Sequence, residues 1–511
     1  MEDRVKPVGI DHLNAWRSQP ADRKAEGLSS VILLVVMLAL GGCAGNSVAP
    51  APNIALSTSF HHGGDQTPSD VSRDQQWWQE FGDEHLIYLV EQTARANHDI
   101  QIAVERARQA RAGIVSANSR LFPSLDVTAE RSDSRTGLPT AIKQNMPDTK
   151  ATRSGVDVSW EIDLFGGVRA AASAAEKDAA AAEFGISAVQ LITASEVARQ
   201  YFIWHGARQR LETLESLLQT QRDTERLTRS RNREGLASEF DVARAAGETS
   251  SMEASLPQLR TLMVVTENRI AVLIGSDAST PVPELHAATE FHWTVPKEAF
   301  TGQPADLLRR RPDLLVAEQR LAAQSSRLVE AKANRFPKIF LSALFGSQQF
   351  TFNDALTPPA SRYSNVAAAF VLPIFDAGRI QARIDAQSAR ERESLLSYEQ
   401  VILGAIEDVE NSLAALTGER QRVESLTLAA KERERAVIHA LSSFREGQID
   451  LLQLLDVQRA QLVADLALVE SCTQRAIDYV QLYKALGGGW QTLPAPVNAS
   501  IAANSSSGAK Q

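Results

Sequence analysis

Asn118-Ser119-Arg120-Leu121-Phe122-Pro123-Ser124-Leu125-Asp126-Val127 returns later in the chain as Asn334-Arg335-Phe336-Pro337-Lys338-Ile339-Phe340-Leu341. The Phe-Pro landmark has moved by 214 residues. Leu164-Phe165-Gly166-Gly167-Val168-Arg169 is echoed by Ile374-Phe375-Asp376-Ala377-Gly378-Arg379 at an offset of 210, and Arg233-Glu234-Gly235 by Arg445-Glu446-Gly447 at 212. Three unlike motifs at a near-constant offset mean a duplicated unit. Its period far exceeds the ~20–50 residues of a solenoid repeat, so each half is a set of helices and strands that pairs with its twin.

Within the first half, Leu86, Leu89, Val90, Ile100, Val104 and Ile114 recur at helical spacing, which predicts a helix from Asp83 to Asn118 that stops at Phe122-Pro123. Strands are expected near 124–133 and 152–162, where apolar and polar residues alternate. From Phe165 to Arg233 the chain lacks proline and is dense in Ala, Glu, Gln, Arg and Leu. That predicts one helix, or two stacked, of about 100 Å. Gly235 ends it, and Ser238 with Asp241 forms a capping box that starts a return helix running to about Gly275. The second half copies the plan: a helix from Ala305 to Asn334, strands near 338–346 and 364–372, a long helix from Ala377 to Phe444, and a return helix to about Leu486.

Four strands of roughly ten residues with one apolar face match membrane-barrel strands. An open edge in a bilayer leaves backbone groups unsatisfied, so the sheet must close by association. Two copies give eight strands and a filled interior, whereas three give twelve and a lumen. The strand count thus favours three copies if the protein is a channel, and the fold class expected is mainly α with a small β part, a duplicated unit of long antiparallel helices carrying four strands.

Leu28 to Leu40 is a mostly apolar run behind Arg23 and Lys24 and ahead of Gly41-Gly42-Cys43. It is short for a membrane span and suits a signal-peptide core. Met1 to Ala25 is long for the segment preceding such a core, so translation could start further along. Leu40-Gly41-Gly42-Cys43 resembles a lipoprotein processing site, which makes Cys43 the lipidated (palmitate-bearing) mature terminus. The expected domains are 1–42 signal peptide, 43–75 extended tether, 76–280 first repeat, 281–304 linker, 305–490 second repeat and 491–511 low-complexity tail.

A net charge of −9, with basic residues interleaved among acids, offers no footprint for nucleic acid. Cys472 is the second of two cysteines, so no disulfide framework exists, and it is expected to pack inside a helix. His61-His62 lacks a third ligand at useful spacing and is expected to be solvated. There is no phosphate loop, no metal spacing and no nucleophile constellation, so neither catalysis, a metal nor a cofactor is expected.

Trp77-Trp78-Gln79-Glu80-Phe81-Gly82-Asp83, Asn97-His98-Asp99-Ile100 and Arg310-Arg311-Pro312-Asp313 followed by Glu318 resemble, in order, the outer-membrane efflux protein (TolC-like) family. With the lipidation site, they resemble its OprM/NodT-type lipoprotein branch. The resemblance implies a homotrimer in the outer membrane of a Gram-negative bacterium, held in its lipid, with a trimeric α-barrel below a 12-stranded outer-membrane β-barrel. It also implies a periplasmic coiled-coil tunnel, a periplasmic adaptor (membrane fusion) protein, and an inner-membrane pump of the RND type. The function implied is the exit duct of a tripartite efflux system for small molecules. A duct for protein secretion is the nearest alternative, and a non-conducting envelope scaffold is one of another class. The period-two strands argue against the scaffold.

Both turns, with Arg233, Gly235 and Ser238 in one and Arg445 and Gly447 in the other, fall at the far tip of the tunnel, where the family docks its adaptor and closes its pore. The resemblance places Asp456 in a carboxylate ring, Gln453 where a second carboxylate would stand, Asp241 in the closing network, and Phe444 in place of a tyrosine. Plain readings stand beside these. Asp241, and Gln453 with Asp450, also fit helix caps. Asp456 lies a turn beyond any cap, and three copies around an axis would attract cations. Trp77-Trp78 reads as packing and Arg310-Arg311-Pro312-Asp313 as a helix start.

Overall fold

The computed structural model describes residues 49–62, 76–135, 137, 148–287, 291, 293–296 and 303–494. A short 3-10 turn, Trp77–Phe81, precedes α1 (Glu84–Ala96) and α2 (His98–Ser119). Then follow β1 (Ser124–Ser134), β2 (Thr149–Ile162), α3 (Gly167–Arg233), α4 (Glu239–Leu273) and the short α5 (Pro283–Ala287). The second half holds α6 (Leu307–Arg310), α7 (Pro312–Ala333), β3 (Lys338–Phe352), β4 (Ser361–Val371), α8 (Arg379–Arg445) and α9 (Leu451–Ala485).

The duplication is metrically close. Helices α3 and α8 each have 67 residues, α4 and α9 each 35, and α2 and α7 each 22. At 1.5 Å per residue the long helices span about 100 Å without a break. Their N-caps, Gly166 and Gly378, stand 212 residues apart, so the turn entering α8 is longer than the one entering α3 and the Phe165/Phe375 echo is shifted from structural register. The strands are longer than expected, at 14 residues for β2 and 15 for β3.

Two expected helices are each broken once. Asn97, in extended conformation, ends α1, and its side chain accepts hydrogen bonds from the N–H groups of Asp99 and Ile100 to start α2. Arg311 is likewise extended because Pro312 follows it, and Pro312 sits at the first turn of α7. The equivalent joints recur one repeat apart because each must turn the chain over the end of a return helix.

One antiparallel sheet has the order β1-β2-β3-β4. The helices packed directly beneath it run α2-α3-α7-α8, and those toward the turns run α4-α3-α9-α8. Every layer therefore ends on the same two sides, with a first-repeat element at one edge and a second-repeat element at the other. Around the middle, Trp77, Trp78, Leu86 and Leu89 pack on Tyr201, Trp204, Ile270, Tyr479 and Tyr483, forming a belt over the long helices. Trp77 stacks on Tyr483 with centroids 5.8 Å apart, which bears out the packing role of the tryptophan pair.

Segment 49–62 is not a free tether. Phe60 is buried in the belt core, and Glu410 on α8 accepts from the backbone N–H of both His61 (2.7 Å) and His62 (3.0 Å). His62 Nδ1 lies 2.9 Å from the same carboxylate, so this histidine is paired rather than wholly solvated. Cys43 and residues 495–511 of the tail lie outside the described residues. Cys472 is part-buried in α9, where burial raises its thiol pKa.

Candidate functional site

Pairing across the sheet sorts its side chains onto two faces, because residues directly opposite one another point the same way. Leu125, Val158, Ala343 and Val366 form one row, Val127, Val156 and Phe345 the next, and Ile162, Ile339 and Phe370 another of the same face. From Val156 to Ile162 this apolar band covers about 20 Å of strand. The opposite face carries Asp126, Glu130, Arg153, Asp157 and Glu161, with Lys338 closing an ion pair on Glu161 at 2.9 Å. Val127 and Val366 remain 81% and 75% exposed, so within one chain nothing covers the apolar face. No helix among the described residues is long and apolar enough to cross a membrane.

The two hairpin turns lie at the far end of the helices. In each, a glycine in the left-handed region ends a long helix: Gly235 at φ 74° and Gly447 at φ 73°. Their N–H groups donate to Asn232 and Phe444 carbonyls, and the next residues donate back to Arg231 and Ser443, which satisfies the last turn of each helix. Arg233, Gly235, Ser238, Arg445 and Gly447 are all exposed there.

Asp241 is part of a complete capping box. Its carboxylate accepts from the Ser238 N–H (3.0 Å) and hydroxyl (2.7 Å), and the Ser238 hydroxyl accepts from the Asp241 N–H. Those bonds hold the carboxyl below its usual range. The repeat-equivalent pair is Asp450 and Gln453, also a capping box, so the carboxylate has moved from the third helical position to the cap itself. Both cap readings are therefore realised in the geometry.

Phe444 is 4% exposed and packs with Ala245, Leu451, Leu454 and Leu455. The Arg231 guanidinium covers its ring at 4.7 Å and donates to its carbonyl at 3.1 Å. An arginine from α3 thus clamps the end of α8, and the sequence signals no such pairing because the partners are 213 residues apart. Asp456 is exposed on α9, six residues past its Asp450 cap. Beside it Arg459 bridges to Glu248 on α4 at 2.7 Å, and that hydrogen bond, with the field of Asp456 added, raises the arginine pKa.

The sequence profile of the outer membrane efflux protein family matches residues 89–276 and 304–488, once for each repeat. The chain belongs to the outer membrane efflux proteins. It is 31% identical over 476 residues to the pyoverdine export outer membrane protein OpmQ of Pseudomonas aeruginosa, covering 91% of this chain and 98% of that protein. Nodulation protein T of Rhizobium leguminosarum bv. trifolii is 29% identical over 458 residues, covering 89% and 96%. Among solved structures, the outer-membrane channel OprN superposes with a TM-score of 0.78 at 30% identity, covering 87% of this chain and all of that one. This efflux protein is accordingly a TolC-like outer-membrane channel component of the NodT type. Its family consists of channels, and the long helices and four strands are one protomer's share of such a channel.

Proposed function

We propose that three copies of this efflux protein close into a duct that carries small molecules from the periplasm to the exterior. The observation that supports this best is the common open edge. The sheet ends on β1 and β4, and the helix layers end on α2 or α4 on one side and α8 on the other. A head-to-tail contact joining these edges makes a ring. It pairs every strand edge, as a bilayer requires, and twelve strands leave a lumen where eight would not. The polar face of the sheet then lines water and the apolar face meets lipid.

Cys43 is the lipid anchor in this reading. Asn53 donates to Glu399 and His61 to Glu410, so the segment runs down α8 away from the sheet. Ten extended residues from Cys43 to Asn53 reach about 35 Å, and the twenty residues of α8 above Glu399 span about 30 Å. The anchor can therefore sit at the level of the membrane. At the other end, the exposed turns around Gly235 and Gly447 suit docking of a periplasmic adaptor, with an RND-type inner-membrane pump supplying the energy. A wide water-filled duct discriminates weakly, so cargo selection belongs to that pump. Asp456 forms the acidic constriction, while Asp241 and Gln453 act first as caps and Phe444 holds its helix end under Arg231.

Single-channel conductance in planar bilayers tests this, with wild type compared to Asp456→Ala. A small wild-type conductance that rises in the variant supports both pore and gate. A pore indifferent to the substitution removes the gate alone, and no conductance in either removes the duct. Phe345→Lys or Phe370→Glu, on the apolar face, should block membrane assembly, the lysine at a cost of up to about 2–4 kcal/mol near mid-bilayer and the glutamate, nearer the end of the band, at less.

A further inference from the structure

Between the two repeats, residues 293–296 cross the outside of the belt. Trp293 donates through Nε1 to the Gln209 side chain on α3 and packs edge-on against Phe291, and Pro296 is buried, so the crossing is pinned. It leaves a groove of about 510 Å³ between this segment and helices α8 and α9, with Arg420, Glu424, Arg475 and Tyr479 on the helical wall.

Two guanidiniums against one carboxylate make this groove cationic. Other arginines along these helices are matched: Arg422 pairs with Glu419, Arg435 with Glu432 and Arg459 with Glu248. Neither Arg420 nor Arg475 makes an ion pair or hydrogen bond with a described residue. Glu424 stands one turn from Arg420 with no ion pair between them, and Glu419 is taken by Arg422 and the Ser471 hydroxyl. Arg475 Nε is shut off from solvent with no acceptor among the described residues. Burial raises the Tyr479 hydroxyl pKa, and both guanidiniums oppose that shift, which places the two charges around one phenol.

A guanidinium presents five donors in a fork that matches a carboxylate, and a shielded donor without an acceptor is costly. The groove supplies two such forks beside the Trp293 ring. Its place selects the occupant. The belt lies on one face of a single layer of helices and would plug the tube from within, so in the proposed duct it faces the periplasm. Arg420 stands 25 residues above the end of α8, about 37 Å from the tip turns. We propose that this groove docks an acidic segment of a periplasmic partner, seating one carboxylate between Arg420 and Arg475 and an apolar neighbour against Trp293. The site is separate from the tip and does not depend on the pore gate.

The probe is a synthetic peptide of alternating glutamate and alanine, with a glutamine-for-glutamate twin, titrated calorimetrically into the solubilised full-length assembly. The glutamate peptide should bind saturably and more weakly as salt rises, and the twin should not bind. Arg420→Gln with Arg475→Gln should weaken binding at least about tenfold while leaving the oligomer and its conductance intact. Reversal to Arg420→Glu with Arg475→Glu should transfer preference to a lysine-alanine peptide. Equal binding of the twin, or full affinity in the double glutamine variant, overturns the proposal. So does a gain in affinity on Glu290→Gln or Glu298→Gln, which would assign the groove to the chain's own linker.

Discussion

Asn97 and Arg311 occupy the same place one repeat apart and solve one problem with different chemistry. Each is the extended residue that starts a 22-residue helix, and each donates to the last carbonyl of the return helix in its own repeat. Asn97 Nδ2 reaches Leu273 O at 2.9 Å, and Arg311 Nη1 reaches Ala485 O at 3.1 Å. The surrounding backbone is alike as well. Gly275 and Gly487 turn left-handed past these joints at φ 76° and 70°, and a Cβ there would come within 2.6 Å of Ala96 O or 2.9 Å of Arg310 O. In the first repeat a neutral amide is enough, because its own oxygen caps α2. In the second, Pro312 removes one amide and a guanidinium takes over, held by Asp313 (2.7 Å) and Asp408 (3.1 Å). The duplication preserves the backbone joint and lets the side chain that closes it drift from amide to ion network.

The largest effect expected from breaking this parallel is at Arg311. Arg311→Ala leaves a shielded carbonyl and two carboxylates without their cation, and should cost about 2–4 kcal/mol, less than a fully buried network because both aspartates are part exposed. Arg311→Lys keeps charge without the fork and should recover only part of it, read as the thermal midpoint of the assembled protein. Asn97→Ala loses a cap and one buried bond together, about 2 kcal/mol.

A second asymmetry sharpens the comparison. His205 on α3 is 1% exposed, stacked on Phe291 at 4.0 Å, with neither ring nitrogen hydrogen-bonded to a described residue, whereas Thr417, its counterpart on α8, is exposed. Burial lowers the His205 pKa to about 3, with Asp83 opposing and Arg208 and His85 assisting. The folded chain thus binds fewer protons than the unfolded one between that value and about 6.5, so stability is lost as pH falls through this window. Between pH 7.5 and pH 5 the loss from this residue should be about 2 kcal/mol, and His205→Phe should flatten that part of the stability profile measured by thermal melts. The smallest effect is at the tips. Asp241→Asn should cost about 0.5–1 kcal/mol by weakening one cap, and Gln453→Ala a similar or lesser amount, detectable as local amide exchange in the first turn of α4 or α9.

Much of the architecture was legible because it rests on local rules. The helix ends at Gly235 and Gly447, the restarts at Ser238 and Asp450, and the period-two strands are written within a few residues of where they act. The breaks at Asn97 and Arg311 were missed as breaks, since helical spacing continues through them. They had a signal all the same: both stand 214 residues apart, like the Phe-Pro landmark. The clamp of Arg231 on Phe444, the hold of Glu410 on the 61–62 amides, and the unmatched Arg420 and Arg475 had none. Each joins residues far apart in sequence, and charge counts along a helix do not say which pairs meet.

By itself the sequence determined the duplication and the apolar/polar alternation of the strands, because periodicity and turn chemistry act over neighbours and survive without knowledge of what packs where, and its motifs in order carried the resemblance to the family. Only the tertiary structure decided that sheet and helix layers share the same open edges, which joints close the return helices, and which arginines go without partners. Those are properties of distances between remote segments, and shape and solvent exclusion set them after the chain has folded.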